Sequence, residues 1–363
     1  MRILIVKTSS LGDVVHTLPA LTDAVKAIPG LRADWVVEEG FAEIPAWHPA
    51  VDRVIPVAIR RWRKQWWNTL RGGEIGRFVA ELRHCEYDAV IDAQGLFKSA
   101  VMTRLARGKR AGLDKNSIKE PVASHFYQQK IAVPRAEHAV QRVRQLFSSV
   151  LAYQYDAQQV DYGLLSPVPE SMAQSAPALM FLHGTTWASK HWPKQYWKDL
   201  ALLASAAGYQ VKLPWGNLAE QQRAEDIADG VAGAEVLHRM NLTELAQQLR
   251  QCDGVIAVDT GLGHLAAALN RPTVSIYGST NPFLSGTFGQ NQLQLKSDLA
   301  CSPCMKRECE YRGQPLIDQT AAGESFEVTP ACYRSSPPAN VLAHLQRMIQ
   351  QSGFTGLPQG SAQ

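Results

Sequence analysis

The chain has 363 residues, of which 45% are hydrophobic, and its 37 Lys and Arg against 33 Asp and Glu give a formal net charge of +4. A single hydrophobic core usually stops growing at roughly 250–300 residues, so this length predicts two domains. A charge this small does not by itself indicate nucleic-acid binding, although it suits an anionic ligand or an anionic membrane surface.

The first residues do not resemble a targeting segment. Arg2 and Lys7 flank only four apolar residues, which are too few for the core of a signal peptide. No later stretch approaches the length of a membrane span. We therefore expect a cytoplasmic protein.

Three stretches of the chain read as an apolar strand, a polar turn and a helix. The strands are predicted over 2–7, 178–183 and 255–258, the turns over 8–12, 184–186 and 259–264, and the helices from about Asp13, Pro193 and Leu265. Strands that alternate with helices predict an α/β fold, with parallel sheets covered by helices on both faces. Each half of the chain is expected to form one doubly wound, Rossmann-like unit.

An amphipathic helix and the polar segment after it predict the domain boundary. Val140, Val143, Phe147 and Val150 have helical spacing, and glutamine, proline and serine accumulate between positions 153 and 177. The helix should therefore close a first domain over 1–155, and a second domain should follow over 176–335.

The end of the chain is predicted to hold one more helix and a tail. A periodic segment follows Pro337-Pro338, so we expect a helix over 338–352 that packs back on the first domain. Residues 353–363 are expected to be disordered, as chain termini often are.

The turn at Asp259-Thr260-Gly261 predicts a phosphate site. Free backbone NH groups at the start of a helix, together with the positive end of the helix dipole, attract anions. Thr185, Thr186 and Lys190 follow the strand at 178–183 and offer hydroxyl and ammonium groups. We therefore expect a phosphorylated ligand in the second half of the chain.

Six motifs in order resemble the lipopolysaccharide heptosyltransferase I family, over the chain from Met1 to about Gly286. They are KTSSLGD at 7–13, WVVEEGF at 35–41, RRWRK at 60–64, DAQG at 92–95, KHWP at 190–193 and DTG at 259–261. The resemblance implies the GT-B architecture, in which two Rossmann-like domains face each other across a cleft. The first domain would bind the acceptor and the second the donor.

The resemblance also implies the reaction. The family transfers heptose with inversion from ADP-heptose (ADP-L-glycero-β-D-manno-heptose) to the Kdo sugar of the lipid A precursor, in lipopolysaccharide inner-core biosynthesis. Because the acceptor is a lipid, the protein is expected to be peripheral on the cytoplasmic face of the inner membrane. No cofactor and no nucleic-acid partner are expected.

This transfer needs a base for the attacking hydroxyl and positive or NH groups for the departing diphosphate. The sequence contains no D-x-D motif to hold a metal, so Lys190, Thr185, Thr186 and the helix start at Thr260-Gly261 are the candidates for the second task. Asp13 lies on the loop after the first strand, where catalytic residues collect, but the residues alone favour a helix cap. The family assigns the general base to this position.

The resemblance assigns further residues to donor binding, and each of them also has a purely structural interpretation. Asp259 could cap a helix, His264 could be a core histidine, Glu220 an exposed helix residue and Met240 a core methionine. The resemblance instead assigns Asp259, Thr260, Gly261 and His264 to the donor diphosphate region. It assigns Glu220 to the ribose and Met240 to the adenine.

The densest basic and aromatic cluster predicts the acceptor site. Arginines suit the Kdo carboxylate and lipid A phosphates, and tryptophan suits a membrane interface, whereas nucleic-acid binding is the competing interpretation. Lys119 is a further candidate. The cluster consists of Arg60, Arg61, Trp62, Arg63, Lys64, Trp66 and Trp67.

Four of the six cysteines lie together beyond the matched region, at Cys301, Cys304, Cys309 and Cys332. The six do not resemble a disulfide framework, and a reducing compartment would keep them as thiols. The C-x2-C spacing with two further cysteines suits zinc or an iron–sulfur cluster, but the favoured interpretation is a set of reduced thiols in an inserted loop.

Two alternative functions remain open from the sequence. A second-heptose transferase of the same family would share most donor motifs, and the basic and aromatic cluster favours the first transfer. A nucleotide-binding module without turnover would need no base opposite the phosphate turn.

Overall fold

The structure is a computed structural model that describes residues 1–64, 72–164 and 176–352. The chain divides into two compact units, Met1–Leu165 and Ser166–Gln363. The predicted tail over 353–363, and Trp66 and Trp67 of the basic and aromatic cluster, lie outside the described residues.

The first unit contains a parallel six-stranded sheet. Its strands are β1 Arg2–Val6, β2 Arg32–Glu38, β3 Val51–Val57, β4 Glu86–Asp92, β5 Arg107–Leu113 and β6 Gln129–Ile131. Its described helices are α1 Leu11–Val15, α2 Leu18–Ala27, α3 Glu43–Ala46, α4 Ile59–Lys64, α5 Glu74–Leu82, α6 Phe97–Leu105 and α7 Ala139–Leu151. The strands lie in the order β3-β2-β1-β4-β5-β6, and every described pairing is parallel.

The second unit contains another parallel six-stranded sheet. Its strands are β7 Ala178–Leu182, β8 Gln210–Leu213, β9 Ala234–Val236, β10 Gly254–Val258, β11 Thr273–Tyr277 and β12 Gln292–Lys296. Its described helices are α8 Lys194–Ala206, α9 Leu218–Ala228, α10 Leu242–Gln251, α11 Gly261–Ala268, α12 Pro282–Ser285 and α13 Pro338–Ser352. The strands lie in the order β12-β11-β10-β7-β8-β9, and a short antiparallel hairpin pairs β13 Ile317–Gln319 with β14 Ser325–Glu327.

Both sheets reverse their winding direction at one pair of strands. In the first unit this switch lies between β1 and β4, and in the second between β7 and β10. Strands β7, β10 and β11 are buried along their whole length, as central strands of a covered parallel sheet are. Ligands of open α/β sheets bind outside the carboxyl ends of the strands at such a switch point, so the loops after these four strands are where a site is expected.

The C-terminal helix α13 belongs to the second unit, which corrects the expectation that it packs on the first domain. Val341, Leu345 and Ile349 are buried in the core of the second unit. A Cβ atom at Gly254 would lie 2.9 Å from methyl carbons of both Leu345 and Ile349, so the helix lies directly against β10. The apolar stripe of α13 is therefore buried against the six-stranded sheet of the second unit.

The first unit continues past the predicted boundary at residue 155. The buried Arg144 guanidinium in α7 donates to the carbonyl oxygens of Asp156 and Gln159, both at 2.8 Å. Tyr162 is buried further along. The polar composition after α7 therefore reflects a segment whose backbone is held by one arginine, not the start of a linker.

No helix within the described residues combines the length and apolarity needed to cross a bilayer.

Leu345→Ala is expected to lower the free energy of unfolding by about 2–5 kcal/mol, because it removes a fully buried side chain between α13 and β10. Urea unfolding followed by far-UV circular dichroism measures the change. The matched control is Gln350→Ala on the exposed side of the same helix, which should stay within about 0.5 kcal/mol. Equal, small effects of the two variants would contradict the packing of α13 on the second unit.

Candidate functional site

Asp13 lies on the loop after β1, in the first turn of α1. The helix begins at Leu11, two residues before the predicted start, and Ser10 is its N-cap. One carboxylate oxygen of Asp13 accepts hydrogen bonds from the Ser10 backbone NH at 2.7 Å and the Ser10 hydroxyl at 3.0 Å. Its side chain is 43% exposed. Asp13 therefore supports the start of the helix and still presents a carboxylate to solvent.

A buried ammonium stands beside the Asp13 carboxylate. Lys7, the residue directly after β1, places Nζ 3.8 Å from Asp13 Oδ1 and donates to the Ala93 carbonyl at 2.8 Å. The Lys7 side chain is only 7% exposed. The lysine thus links the loops after β1 and β4 and holds a positive charge next to the candidate base.

The loop after β4 fixes the backbone that leads to Asp13. Gln94 Oε1 accepts from the backbone NH groups of Thr8 and Ser9, both at 3.0 Å. Asp92 accepts from the NH groups of Gln94 and Gly95, at 2.9 and 3.0 Å, and from the hydroxyls of Ser99 and Tyr127. Burial raises the pKa of Asp92 while these hydrogen bonds oppose the rise.

The basic cluster occupies α4, and its members differ in their surroundings. The Arg61 guanidinium is paired with Glu39 at 3.2 Å and Glu74 at 3.0 Å, and hydrogen bonds to these carboxylates raise its pKa. Trp62 donates to Glu74 at 2.8 Å and packs edge-on against Phe78. Both residues therefore have structural roles that the sequence did not indicate.

The other acceptor candidates are exposed. The Arg60 guanidinium lies over the Phe41 ring, 5.6 Å from its centroid. Arg63 and Lys64 at the end of α4 are exposed, as is Lys119 just before the short 3-10 helix Pro121–Phe126. These four side chains present positive charge to solvent.

In the second unit, Lys190 and Asp259 form an ion pair. Their Nζ and Oδ2 atoms are 2.7 Å apart, with the side chains 17% and 10% exposed. The Thr280 hydroxyl donates to the same carboxylate oxygen at 2.6 Å. Lys190 follows β7, Asp259 follows β10 and Thr280 follows β11, so the three groups meet at the carboxyl ends of adjacent strands.

Asp259 does not cap α11, although capping was the alternative to its assignment. Thr260 is the N-cap and makes no side-chain cap hydrogen bond. The Thr185 hydroxyl donates to the Asp259 carbonyl at 3.1 Å, which joins the loops after β7 and β10. Gly261 begins the helix, so its backbone NH stands at the positive end of the dipole.

The remaining donor candidates lie around the same sheet edge at different depths. Thr186 is exposed, His264 is buried in α11, and Met240 is half-buried in the segment before α10. Glu220 is half-buried, and its carboxylate accepts from the Gly216 NH at 2.8 Å. A Cβ atom at Gly184 would lie 2.8 Å from the Glu220 carboxyl carbon, so glycine is what lets this side chain reach the loop after β7.

Several groups at this edge were not predicted from the sequence. Lys190 Nζ lies 4.5 Å from the centroid of the Trp187 ring, and the Arg307 guanidinium lies 5.7 Å from it. His191 accepts a hydrogen bond from Arg223, and burial, followed by the charge of Arg223, lowers the pKa of His191 to about 4. A neutral His191 can accept that hydrogen bond.

The described parts of the chain contain no group of three or more His, Cys, Asp or Glu side chains arranged to share a metal ion. The loops after β7 and β10 bring together the Lys190 ammonium, the Asp259 carboxylate and the backbone NH groups at the start of α11. Such a set can hold a phosphorylated ligand through its ammonium and NH groups.

The chain is similar to known glycosyltransferases along most of its length. The profile of glycosyltransferase family 9 (heptosyltransferase) matches residues 75–314. Lipopolysaccharide heptosyltransferase 1 of Pseudomonas aeruginosa is 52% identical over 350 residues, which cover 96% of this chain and 98% of that protein. Lipopolysaccharide heptosyltransferase 2 of Escherichia coli is 25% identical over 302 residues, covering 78% and 84%.

Two solved structures of the E. coli heptosyltransferase WaaC are similar along most of the chain. The structure with ADP has a TM-score of 0.77 and 50% identity, and covers 81% of this chain and 93% of that one. The structure with ADP-2-deoxy-2-fluoro heptose has a TM-score of 0.75 and 49% identity, covering 82% and 93%.

The two doubly wound, Rossmann-like units, together with the similarity to WaaC, define a glycosyltransferase of the GT-B fold class, as predicted from the sequence. The chain belongs to glycosyltransferase family 9, the heptosyltransferases.

Proposed function

We propose that the protein transfers heptose, with inversion, from ADP-heptose to the Kdo sugar of the lipid A precursor. The observation that carries this proposal is the difference between 52% identity to a heptosyltransferase 1 and 25% identity to a heptosyltransferase 2. The solved relatives that hold ADP and an ADP-heptose analogue support the choice of donor. The chemistry of both units fits the reaction.

The donor role is assigned to the second unit. The diphosphate accepts from the NH groups at Gly261, from the Thr186 hydroxyl, and from the Thr185 hydroxyl once that group turns away from the Asp259 carbonyl. The Lys190 ammonium compensates the charge of the diphosphate, and Asp259, 2.7 Å from that ammonium, holds it at the strand ends. Glu220 accepts from ribose hydroxyls, Met240 contacts the adenine, and His264 supports the wall behind the helix start.

Proton abstraction is assigned to Asp13. The acceptor hydroxyl gives its proton to the carboxylate oxygen that Ser10 does not occupy, while its oxygen attacks the anomeric carbon and the bond to the diphosphate breaks. The developing negative charge on the departing ADP is stabilised by Lys190 and the helix start, without a divalent metal.

The acceptor role is assigned to Arg60, Arg63, Lys64 and Lys119, whose charged groups are exposed. Arginine forks match carboxylate and phosphate oxygens in pairs, and Kdo and lipid A carry these two groups. Arg61 joins this set only when the acceptor replaces Glu39 or Glu74 at its guanidinium. The same positive surface supports peripheral attachment to the cytoplasmic face of the inner membrane.

The decisive experiment compares two acceptors. Purified protein with ADP-heptose should transfer to a Kdo-bearing lipid A precursor and not to the heptose-bearing product, at a rate that EDTA does not lower and added Mg²⁺ or Mn²⁺ does not raise. Transfer mainly to the heptose-bearing acceptor would favour the second-heptose alternative. ADP binding without any transfer or hydrolysis would favour a non-catalytic module.

Lys190→Ala is expected to weaken ADP binding by about 10- to 100-fold, the effect of losing charge-assisted hydrogen bonds worth about 1.5–3 kcal/mol. Isothermal titration calorimetry measures the Kd. Lys194→Ala is the matched control, because Lys194 is an exposed lysine that pairs with Asp226. Wild-type affinity in Lys190→Ala would remove Lys190 from the diphosphate site.

Asp13→Asn is expected to lower kcat by about 100- to 10,000-fold, since the amide cannot take the proton. The amide oxygen can still accept from Ser10, so the fold and the Kd for ADP should stay unchanged, and Asp13→Ala should lose turnover as well. The control is Asp88→Asn, which removes an exposed carboxylate that accepts from the Arg2 NH near the other end of β1. Near-normal turnover of Asp13→Asn would leave Asp13 with only its role at the helix start.

A further inference from the structure

A half-buried arginine beside the donor loops of the second unit has no role in the function proposed above. Arg223 lies in α9, and its guanidinium donates to the His191 ring. Within the described parts of the chain it forms no ion pair with a carboxylate. A partly buried charge usually has a counter-ion, because burial without one is costly.

We propose that Arg223 is a further donor-binding residue, whose guanidinium contacts the phosphate next to the ribose of ADP-heptose. This role rests on the donor proposed above. A guanidinium suits the group, because its forked NH donors match phosphate oxygens in pairs.

Arg223 shares a helix face with the residue assigned to the ribose. Glu220 and Arg223 are three residues apart in α9, a spacing that places two side chains on the same side of a helix. That side faces the loop after β7, since a Cβ atom at Gly184 would lie 2.8 Å from the Glu220 carboxyl carbon. Burial lowers the pKa of Arg223, and the charge of Glu220 opposes this lowering.

The contact with His191 brings the guanidinium to the turn that carries Lys190. His191 directly follows Lys190 in the chain. Arg223 therefore joins the helix of Glu220, assigned to the ribose, to the turn of Lys190, assigned to the diphosphate. In a nucleoside diphosphate the first phosphate lies between the ribose and the second phosphate, so the first phosphate is the ligand group expected at this guanidinium.

Arg223 also supplies a positive charge that the Lys190 turn lacks. The Lys190 ammonium lies 2.7 Å from the Asp259 carboxylate, so the two charges largely cancel. Burial, followed by the charge of Arg223, lowers the pKa of both His183 and His191 to about 4, so both imidazoles are neutral near pH 7. ADP carries several negative charges, and Arg223, with which no described carboxylate pairs, can offset one of them.

The test compares adenosine, AMP and ADP as ligands of the full chain by isothermal titration calorimetry. Arg223→Gln should weaken the binding of AMP and ADP by about 10- to 100-fold and leave adenosine binding unchanged, because only the first two ligands carry a phosphate. Arg223→Lys, which keeps the charge but not the fork, should recover part of the loss. The matched control is Lys198→Gln, which removes the positive charge of a lysine that pairs with Asp229 and should leave all three Kd values unchanged.

A second comparison separates contact with the phosphate from ordering of the Lys190 turn. In a His191→Ala background, Arg223→Gln should still weaken ADP binding by about the same factor, because the guanidinium acts on the ligand directly. No further loss in that background would show that Arg223 acts only through His191, and would overturn the contact. Wild-type affinity of Arg223→Gln for AMP and ADP, or an equal loss for adenosine, would overturn it as well.

These affinities are measured without acceptor, so they are independent of the transfer reaction. Failure of the wild-type protein to bind ADP would contradict the proposed donor. ADP binding that Arg223→Gln leaves unchanged would contradict only the role of Arg223.

Discussion

The ion pair between Lys190 and Asp259 is the interaction on which the proposed donor site in the second unit depends. A lysine this buried is costly unless an opposite charge stands next to it, and the Asp259 carboxylate and the Thr280 hydroxyl meet at that point. The three residues come from loops after β7, β10 and β11. The pair therefore fixes three strand ends relative to one another and keeps an ammonium beside the start of α11.

The first unit also has a buried lysine at the carboxyl end of its sheet. Lys7 is buried at the end of β1, reaches the loop after β4 and stands beside Asp13. In both units, a lysine joins the loops at the place where the winding of the sheet reverses: Lys190 bonds to the Asp259 carboxylate, and Lys7 to the Ala93 carbonyl. The geometry of a parallel sheet brings those loops together, and the lysine sets their spacing.

The fold could be predicted because its signals are local. Short apolar runs followed by glycine-containing turns and amphipathic helices specify each strand-turn-helix step, and the repetition of that step specifies two doubly wound units. The position of α13 could not be predicted. An apolar stripe such as Val341, Leu345 and Ile349 indicates that one face of the helix is buried, but it does not indicate which sheet the helix packs against. The reach of the first unit beyond residue 155 was hidden for a similar reason, because a polar segment held by Arg144 looks like a linker.

Candidate site residues gave a signal in the sequence where they lie on the segment after a strand, as Asp13, Lys190 and Asp259 do. Partners that arrive from distant segments gave no signal, and Thr280 and Arg223 are of this kind, whereas Gln94 belongs to a motif whose role the sequence did not indicate. In the basic cluster, the sequence shows the arginines and lysines but does not show which of them form ion pairs with carboxylates. Only the fold reveals that Arg61 already has two carboxylate partners, whereas no carboxylate among the described residues forms an ion pair with Arg60, Arg63 or Lys64.

The pairing of Arg61 with two carboxylates affects which anions can bind there, according to the number of negative charges they carry. Glu39 and Glu74 occupy its fork from two sides, so any incoming anion that engages Arg61 must outcompete internal carboxylates that are already in place. A singly charged solute would replace one carboxylate contact with another and gain little. At the acceptor site proposed above, a polyanion that also contacts Arg60, Arg63 and Lys64 would gain several simultaneous contacts, so we expect the paired Arg61 to favour multiply charged ligands over small singly charged solutes.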